Sequence, residues 1–502
     1  MLQPQQSINT GTNLHSARSC QKVQTCSSSR KENLLYTGIY LIFQGLKPGS
    51  GLSACNTQTG ITTGQKKKYC KTLIGCTILL VLTAVNLFVL LPPAFAGKNL
   101  FSSCADNLTS SDSMIVADTT GHMIYEKDSN IRHIPASTLK LLTSMAAIDT
   151  LGLTYRFKTE FYTDSRNNLK VKGYGDPLLI SEVLHHIARA LSKKSHSFKD
   201  IILDDSYFED NITIPGNSSS DNPYDAPQGA LCANFNTIFF SHDKHGNPVS
   251  AEQQTPLIPF AQRKIRLIKE DHGRYTLTHK EHEAVLYTGH LLACFLKQYG
   301  VHIGKKIYRG KIAASDRLLY TYYSEFTLGD IIKKLARFSN NFIANQLFLS
   351  LGTIAYGPPG NLNKSIQFLS DYAHRELGIK DIKIVEGSGL SRQNRISARD
   401  MLAILERFRP YRYLLKRRKN ILFKSGTLKG IRTRAGYIET DMGPFPFVVF
   451  MSRNSSIQDV STVHEDANNF STHKKKGHKR PCSLCIRPIV DCIDTAVSRY
   501  LY

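Results

Sequence analysis

Cysteine is scarce in most of this 502-residue chain, because only six of its eleven cysteines lie in residues 98–502. That density excludes a small scaffold held together by many disulfides. Acidic residues are also few, with 40 Asp and Glu against 64 Lys and Arg, which gives a formal net charge of +24 at pH 7. No nucleic-acid-binding module accompanies this charge. We therefore interpret it as a surface that tolerates or attracts an anionic polymer or a membrane surface, and we expect no nucleic-acid partner.

The first 97 residues have almost no acidic side chains, with one glutamate against nine lysines and arginines. Residues 1–71 are rich in Ser, Thr, Gln, Asn and Gly and show no sustained hydrophobic periodicity. This composition is typical of a disordered segment. The alternative is an upstream extension that is not translated in the cell, because a signal-like segment follows it.

Residues 72–97 have the layout of a secretory signal. The basic stretch Lys66–Lys71 precedes an apolar run from Thr72 to Leu91, and Ala94-Phe95-Ala96 supplies an A-x-A cleavage pattern. A cleaved signal peptide is our first interpretation. A retained membrane anchor is the alternative, because about 20 apolar residues can span a bilayer. Both interpretations export the rest of the chain, to the periplasm or the outer face of the cytoplasmic membrane, and the second adds a membrane association through residues 72–91.

The chain is longer than a single domain with one hydrophobic core usually is, so its length predicts two or three domains. Between residues 159 and 313 the pattern changes to short alternating runs separated by Gly, Pro, Asn and Asp, which predicts an inserted, mostly β region. Periodicity elsewhere alternates between strand and helix. We predict strands at Ser113–Asp118, Met123–Glu126, Asn420–Phe423, Ala435–Glu439 and Phe445–Ser452, and helices at His282–Tyr299, Leu328–Phe338 with Asn345–Leu351 continuing it, Leu362–Leu377, Ala398–Phe408 and Ile489–Leu501.

The segment Pro135–Lys140 runs into an apolar stretch and places Ser137 and Lys140 one helical turn apart on the same face. Pro135 suits a helix entry, and a serine at that end lies near unpaired N–H groups and the positive end of the helix dipole. A desolvated lysine beside it can lose its proton and act as a base. This pair can activate a hydroxyl for acyl transfer without histidine. The S-x-x-K spacing alone is a weak signal, because it arises by chance in most proteins.

Two later stretches fit the same chemistry. Ser339-Asn340-Asn341 follows an amphipathic helix, and Lys424-Ser425-Gly426-Thr427 lies at the end of an apolar strand. Each of them alone is more typical of a helix cap or a turn. In the order S-x-x-K, S-x-N and K-[ST]-G, however, the three resemble the motifs of the penicillin-recognising serine acyltransferases.

More narrowly, the chain resembles the D-alanyl-D-alanine carboxypeptidase/endopeptidase family of low-molecular-mass penicillin-binding proteins, which carry a large insert between the first two motifs. Ser137 and Ser339 are 202 residues apart, which suits that insert. The resemblance covers residues 110–453. Companion segments that look like the family are Gly173–Pro177, Asp204–Phe208, Tyr224–Pro227, Ser339–Ala344 and Glu386–Ser391.

The resemblance implies an α/β (α+β) fold with a transpeptidase/β-lactamase-like domain, in which helices flank an antiparallel sheet. Residues 98–158 and 314–502 would form this domain, and residues 159–313 would form one or two inserted domains. The implied activity is a serine D,D-carboxypeptidase/endopeptidase that cleaves D-Ala-D-Ala, and cross-links as a second substrate, in peptidoglycan stem peptides. β-Lactams would be covalent inhibitors, and neither a metal nor a cofactor would be needed.

Roles for individual residues also follow from the resemblance. Ser137 would be the nucleophile that forms an acyl-enzyme, Lys140 its base, and Ser339 a relay that passes a proton to the leaving amine. The cationic Lys424 would tune this relay and, as a nearby second charge, help to keep Lys140 neutral. Asn341 would hold the substrate amide. The terminal carboxylate would bind at Lys424, Ser425, Gly426 and Thr427, and the N–H groups of Ser137 and Thr427 would form the oxyanion hole.

The sequence departs from the family at four points, one of which is the segment 454–485, longer and more basic than the family leads us to expect. Tyr174 replaces the middle glycine of a usual Gly-Gly-Gly-Asp-Pro, Glu386 stands where the family usually has Asp, and the chain has no Trp. A β-lactamase is one alternative, although the chain lacks a Tyr at the first position of the second motif and an E-x-x-L-N segment. An exported cell-wall-binding protein with an inactive site is another, and the intact motif residues argue against it.

Other reactive residues have simpler interpretations. Cys482 and Cys485, with His473 and His478 upstream, could bind zinc, but a local disulfide or no special role fits an oxidising compartment better. The basic run 473–480 is typical of a solvated loop, and contact with an anionic wall polymer is the alternative. Ser388 lacks the G-x-S-x-G frame of a nucleophile, so we place it in a glycine-rich turn beneath the active site.

Overall fold

The computed structural model describes residues 101–106, 108–268, 270–452 and 486–500. The N-terminal extension, the signal or anchor segment 72–97, the basic run 473–480 and the Cys482/Cys485 pair lie outside the described residues. Within the described ranges, no helix is both long enough and apolar enough to cross a membrane.

The helices and strands are numbered in chain order. The strands are β1 (Ser113–Ala117), β2 (Met123–Lys127), β3 (Arg132–His133), β4 (Lys158–Thr163), β5 (Leu169–Gly173), β6 (Ser197–Phe198), β7 (Ile201–Asp204), β8 (Thr237–His242), β9 (Pro248–Ser250), β10 (Gly273–Thr276), β11 (His302–Ile303), β12 (Ile307–Arg309), β13 (Arg317–Tyr323), β14 (Ile396–Ser397), β15 (Lys416–Arg418), β16 (Ile421–Leu428), β17 (Ile431–Thr440) and β18 (Gly443–Ser452). The helices are α1 (Lys140–Leu151), α2 (Ser181–Ser192), α3 (Pro259–Ile265), α4 (Glu281–Gln298), α5 (Leu328–Phe338), α6 (Asn341–Tyr356), α7 (Leu362–Leu377), α8 (Ala398–Phe408) and α9 (Ile486–Tyr500).

The largest sheet has six antiparallel strands in the order β15-β16-β17-β18-β1-β2. Strand β1 pairs with β18, so distant parts of the chain share one sheet. The adjacent strands β1 and β18 are buried on both faces of the sheet. Alternate residues of a strand point to opposite sides, so each of these strands contributes to two cores. Ile115 and Val448 pack against a core of helices, and Met114 and Val449 pack on the other side against α9. This is the expected antiparallel sheet with helices on its faces.

Helix α1 lies at the centre of the first core and fixes the position of the S-x-x-K motif. Every residue from Lys140 to Ile148 is buried. A helix that is buried all round must be surrounded by other elements, and α1 contacts α5, α6 and α8. The motif at its start is therefore held by close packing rather than by a surface loop.

The inserted region has a second core and a five-stranded sheet in the order β12-β7-β5-β4-β13. The region contains three helices, α2, α3 and α4, so it is a mixed α/β unit and not the mostly β unit that we expected. The physical reason is the strand direction: β7 runs parallel to both β5 and β12. Parallel neighbours need crossover connections, which are usually helical, and α2 lies between β5 and β7 in the chain.

The sheet of the inserted region extends beyond residue 313. Strand β4 pairs with β13 in antiparallel register from Lys158↔Tyr323 to Thr163↔Arg317. The two strands that carry the chain into and out of the region are thus neighbours in one sheet, and this sheet includes residues up to Tyr323. The division at residues 158 and 313 remains a prediction from the sequence.

One disulfide joins Cys104 to Cys492 on α9, with the two Cα atoms 5.5 Å apart and a sequence separation of 388. Sequence reasoning did not predict this pairing. Cys232 and Cys294 are free. Disulfides form and persist mainly in oxidising compartments.

Candidate active site

Ser137 and Lys140 lie at the junction of a 3-10 turn, Ala136–Leu139, and helix α1. The side chain of Lys140 is only 1% exposed, whereas Ser137 is partly exposed. Lys140 Nζ lies 2.9 Å from Ser137 Oγ. The structure thus places the two side chains in direct contact, as the one-turn spacing predicted, with the lysine buried and the serine accessible.

Asn341 contacts the same lysine from a different helix. Helix α5 ends at Phe338, and Ser339 adopts a left-handed conformation with φ 54°. Asn340 then caps α6, because its side chain accepts a hydrogen bond from the N–H of Ile343 at 3.0 Å. Asn341 is the first residue of α6, and its Oδ1 accepts a hydrogen bond from Lys140 Nζ at 2.8 Å.

The prediction that the helix ending at Phe338 continues through Asn345–Leu351 was wrong, because a left-handed residue cannot continue a right-handed helix. The break determines where two side chains of the site lie, because Ser339 and Asn341 stand on either side of the Asn340 cap. In a continuous helix, successive side chains would instead be rotated by 100° about the helix axis.

Lys424 approaches the site from strand β16. Its side chain is 2% exposed, and its Nζ donates hydrogen bonds to Ser339 Oγ at 2.6 Å and to the Ser425 carbonyl at 2.8 Å. Ser339 and Lys424 therefore form a second contact pair beside the first. The predicted strand ended at Phe423, but β16 continues to Leu428, because the whole stretch pairs with β17.

Ser425 and Thr427 occupy the alternate positions of β16 and are exposed. Among the residues that the structure describes, neither side chain joins the hydrogen bonds around Lys140 and Lys424. Their exposure leaves both hydroxyls open to solvent at the edge of the site.

Gly426 allows β16 to lie directly against the nucleophile's main chain. A Cβ atom at this position would lie 2.2 Å from Thr433 Oγ1 and 2.8 Å from the Ser137 nitrogen. No side chain fits in that space. Thr433 Oγ1 in turn donates a hydrogen bond to the Pro135 carbonyl at 2.8 Å, which ties the 3-10 turn to the sheet.

The two buried lysines have strongly altered acidity. Burial lowers the pKa of Lys140 to about 7, and the carboxylate of Glu386 opposes this shift. Burial also lowers the pKa of Lys424 well below its usual value, and the positive charges of Lys140 and Lys416 lower it further. We expected a second cation to help to keep Lys140 neutral. Desolvation is instead the main cause for Lys140, and the repulsion between the two lysines acts on Lys424.

A glycine-rich turn that follows Glu386 supplies the third contact of Lys140. The Ser388 carbonyl accepts a hydrogen bond from Lys140 Nζ at 2.6 Å. The hydroxyl of Ser388 donates to Glu386 at 2.6 Å instead of facing the site, so Ser388 is not placed as a nucleophile. The sequence predicted a turn beneath the site but not this contact. An acidic residue directly before a stretch of glycines and serines was the available signal.

In the part of the chain that the structure describes, one group of three carboxylates could hold a metal ion: Asp205, Asp210 and Glu281. The guanidinium of Arg309 pairs with both aspartates, and its Nη2 lies 3.0 Å from Asp205 Oδ2. This side chain supplies the positive charge that a bound cation would otherwise provide. The cluster lies in the inserted region, and none of its members contacts Ser137 or Lys140.

Comparison with known proteins finds similar D-Ala-D-Ala carboxypeptidases. The family model described as the D-Ala-D-Ala carboxypeptidase 3 (S13) family matches residues 103–282 and 267–413. The D-alanyl-D-alanine carboxypeptidase DacB of Haemophilus influenzae is 23% identical over 396 residues, which cover 64% of this chain and 81% of that protein. The D-alanyl-D-alanine carboxypeptidase of Actinomadura sp. strain R39 is 24% identical over 347 residues, covering 58% of this chain but only 63% of that longer protein.

The fold is similar to that of a solved structure. The crystal structure of penicillin binding protein 4 (dacB) from Haemophilus influenzae superimposes with a TM-score of 0.60 at 19% sequence identity. The match covers 80% of this chain and 98% of that one. At this level of identity, the likeness concerns the arrangement of helices and strands.

Proposed function

The chain belongs to the D-Ala-D-Ala carboxypeptidase 3 (S13) family of serine peptidases, and from this membership we propose that it is an exported, penicillin-binding D,D-peptidase that acts through an acyl-enzyme on Ser137. The substrate would be the D-Ala-D-Ala end of peptidoglycan stem peptides, as the names of its relatives suggest. The oxidised Cys104–Cys492 pair supports the export of the protein.

The observation that carries the proposal is the contact between Ser137 Oγ and a buried Lys140 whose pKa is lowered to about 7. A neutral amine has two N–H donors and one lone pair. Two of the contacts of Lys140 Nζ, the oxygens of Asn341 and Ser388, can only accept hydrogen bonds. The third is the Ser137 hydroxyl, which can donate. This set matches a neutral lysine that accepts the serine proton.

In the acylation step, Ser137 Oγ bonds to the carbonyl carbon between the two D-alanines, and its proton moves to Lys140. The C–N bond then breaks, and the leaving D-alanine amine takes a proton from Ser339, which Lys424 contacts. The proton that Lys140 took from Ser137 replaces the one that Ser339 gave, so Lys140 is neutral again. We assign the oxyanion hole to the N–H groups of Ser137 and Thr427. One such donor typically lowers the barrier by about 3–4 kcal/mol.

Substrate orientation would come from the residues around this centre. Asn341 would hold the substrate amide. The terminal carboxylate would bind beside Lys424, Ser425, Gly426 and Thr427, where the exposed hydroxyls of β16 are accessible. Water then attacks the ester and returns the proton to Ser137 Oγ. A β-lactam would follow the same acylation path, but its amine stays attached and blocks the water.

The test is covalent labelling with a fluorescent penicillin, followed by denaturing electrophoresis. We expect the wild type to be labelled and Ser137→Ala to lose labelling by at least about 10³-fold, because it lacks the attacking oxygen. Ser365→Ala is the control: Ser365 is a buried serine on α7 whose hydroxyl donates a hydrogen bond to the Asn361 carbonyl at 2.8 Å, away from the site.

Two outcomes would contradict the proposal. An unlabelled wild type, or equal labelling of Ser137→Ala, would falsify the assignment of the nucleophile. Steady hydrolysis of penicillin faster than about one turnover per second would instead favour a β-lactamase. Incubation with a stem pentapeptide and with a cross-linked dimer would show which of the two peptide bonds the enzyme cleaves.

A further inference from the structure

We propose that Glu386 is a positioning residue of this site: its carboxylate organises the turn Gly387–Ser391, and this turn holds Lys140 against Ser137. The inference deepens the proposed function and rests on it, since it concerns how the proposed base is held. Glu386 does not touch the reacting atoms.

The carboxylate of Glu386 is fully buried, with 0% exposure. One of its oxygens, Oε2, accepts hydrogen bonds from the Ser388 N–H at 2.7 Å and the Ser388 hydroxyl at 2.6 Å. The other, Oε1, accepts from the Gly389 N–H at 2.7 Å, from Asn394 Nδ2 at 2.7 Å and from the Ser391 N–H at 3.3 Å. All five partners are donors, so the side chain acts as an ionised acceptor around which the turn is wound.

The turn is bound to helix α1 through two of its main-chain carbonyls. Ser388 O accepts from Lys140 Nζ at 2.6 Å, and Gly387 O accepts from Thr143 Oγ1 at 2.7 Å. Lys140 and Thr143 are one helical turn apart, so both contacts fall on the same face of α1. On its other side, the N–H of Gly387 donates to Asn345 Oδ1 on α6 at 2.8 Å. The turn therefore bridges the two helices that carry Lys140 and Asn341.

The turn also presses against the main chain of the nucleophile. Gly389 has φ +81°, and a Cβ atom there would lie 1.8 Å from the Ala136 carbonyl oxygen and 3.2 Å from the Ser137 nitrogen. Ala136 itself has a positive φ of 47°, a strained conformation for a residue with a Cβ. The Glu386 turn thus lies where it can keep the Ser137 turn in its unusual shape.

Charge gives this role a distinctive signature. Glu386 is the charged group that favours the protonated form of Lys140. Lys424 is the other buried cation of the site, and the charge of Lys140 lowers the pKa of Lys424. The other contacts of Lys140 Nζ are with neutral groups. Loss of the Glu386 charge should therefore make Lys140 easier to deprotonate, and loss of the Ser388 carbonyl contact acts in the same direction.

The experiment measures the second-order rate of acylation by a fluorescent penicillin between pH 5 and pH 9. The reaction requires neutral Lys140, so the rate decreases when the pH is below the pKa of this lysine. We expect Glu386→Gln to lower the plateau rate by about ten- to a hundredfold, because the base is held less accurately. We also expect its acidic limb to move to lower pH by about one unit. Glu386→Asp keeps the charge and should keep the limb in place.

Two controls isolate the effect. Glu252→Gln removes a carboxylate that pairs with Arg274 in the inserted region and should leave the acidic limb unchanged. Thr143→Val keeps Glu386 but removes the hydrogen bond between α1 and the turn, so it should lower the plateau rate several-fold without moving the limb. This variant also keeps the inference testable if Glu386→Gln does not fold.

An unmoved acidic limb in folded Glu386→Gln would overturn the inference and leave a purely structural role. If Glu386→Gln does not fold, a wild-type plateau rate in Thr143→Val would overturn it. Failure of the proposed function is a separate result, because it shows in the wild type, which would then not be acylated at any pH.

Discussion

Lys140 must be buried and hydrogen-bonded, and yet carry no proton, if it is to serve as a base near neutral pH. Removing an ammonium ion from water is costly, and a buried lysine reduces that cost by losing its proton. The lowered pKa of Lys140, about 7, is the result. The same burial makes this residue a source of instability at low pH, because there the folded protein must hold a buried charge.

We predict that Lys140 makes stability depend on pH. An unfolded lysine keeps its proton up to its usual pKa of 10.5, whereas folded Lys140 loses it near 7. Between these values the unfolded state binds more protons, so the free energy of unfolding must rise with pH. Relative to Lys140→Met, the wild type should gain about 2 kcal/mol between pH 7 and pH 9.

Urea denaturation of both proteins at the two pH values measures this difference. Lys333→Met, at an exposed position on α5, is the control and should show the pH dependence of the wild type. Equal pH dependence in the wild type and Lys140→Met would mean that Lys140 keeps an ordinary pKa in the folded protein.

At the scale of elements, the break between α5 and α6 decides where two site residues lie. Ser339 closes α5 in a left-handed conformation and contacts Lys424. Asn340 caps α6, and Asn341 contacts Lys140. Three consecutive residues thus end one helix, begin the next and face both buried lysines, so the helix cap and the site share their geometry.

We predict that Asn340→Ala costs about 1 kcal/mol of stability through the lost cap and also slows acylation, because the first turn of α6 carries Asn341. Asn361→Ala is the matched control, since Asn361 caps α7 with an equivalent hydrogen bond to the Lys364 N–H at 2.8 Å. It should cost similar stability and leave acylation unchanged. The measurements are thermal unfolding and the rate of penicillin labelling. Equal acylation rates in the two variants would contradict the prediction, because they would show that the Asn340 cap has no effect on the site.

The sequence predicted some elements closely and others poorly, for identifiable reasons. Helices α5, α7 and α8 have the predicted bounds, because each has a strong apolar stripe and a side-chain cap. Strand β16 extends five residues beyond its predicted end, since Ser425, Gly426 and Thr427 are typical turn residues. Only its pairing with β17 holds them extended. Long-range pairing of this kind is not encoded in local periodicity.

The site itself shows the same division. The three motifs gave Ser137, Lys140, Ser339, Asn341 and Lys424, and the structure brings these five together in two contacting groups. The contact between Lys140 and Ser388 depends on a carbonyl oxygen, which every residue carries. No residue type marks it in the sequence. The close approach of Gly426 to Ser137 likewise becomes visible only when the sheet and the helix are packed.

At the scale of the whole molecule, the disulfide ties the segment before β1 to α9, and both pack on the same face of the six-stranded sheet. The sequence could not reveal this pairing, because eleven cysteines allow very many combinations. It is the covalent counterpart of the β1–β18 pairing, which also joins distant parts of the chain.

We predict that reduction of this disulfide lowers the stability of the wild type by about 2–5 kcal/mol. Thermal unfolding with and without dithiothreitol measures the effect. The double variant Cys104→Ser/Cys492→Ser should show a lowered melting temperature that the reductant no longer changes. A wild type whose stability does not change with the reductant would show that the pair is not oxidised. Cys232→Ser, which removes a free cysteine, is the control and should respond like the wild type.

The contacts of Lys140 also set the order in which the protein can become active. Its partners Asn341 and Ser388 lie 201 and 248 residues further along the chain, and Lys424 must join from a strand still later. Contacts of such high sequence separation form late in folding, because closing long loops costs entropy first. Under the proposed function, a chain whose last third has not yet folded would therefore hold the nucleophile without the contacts that position its base. It would become reactive only after that last third had folded.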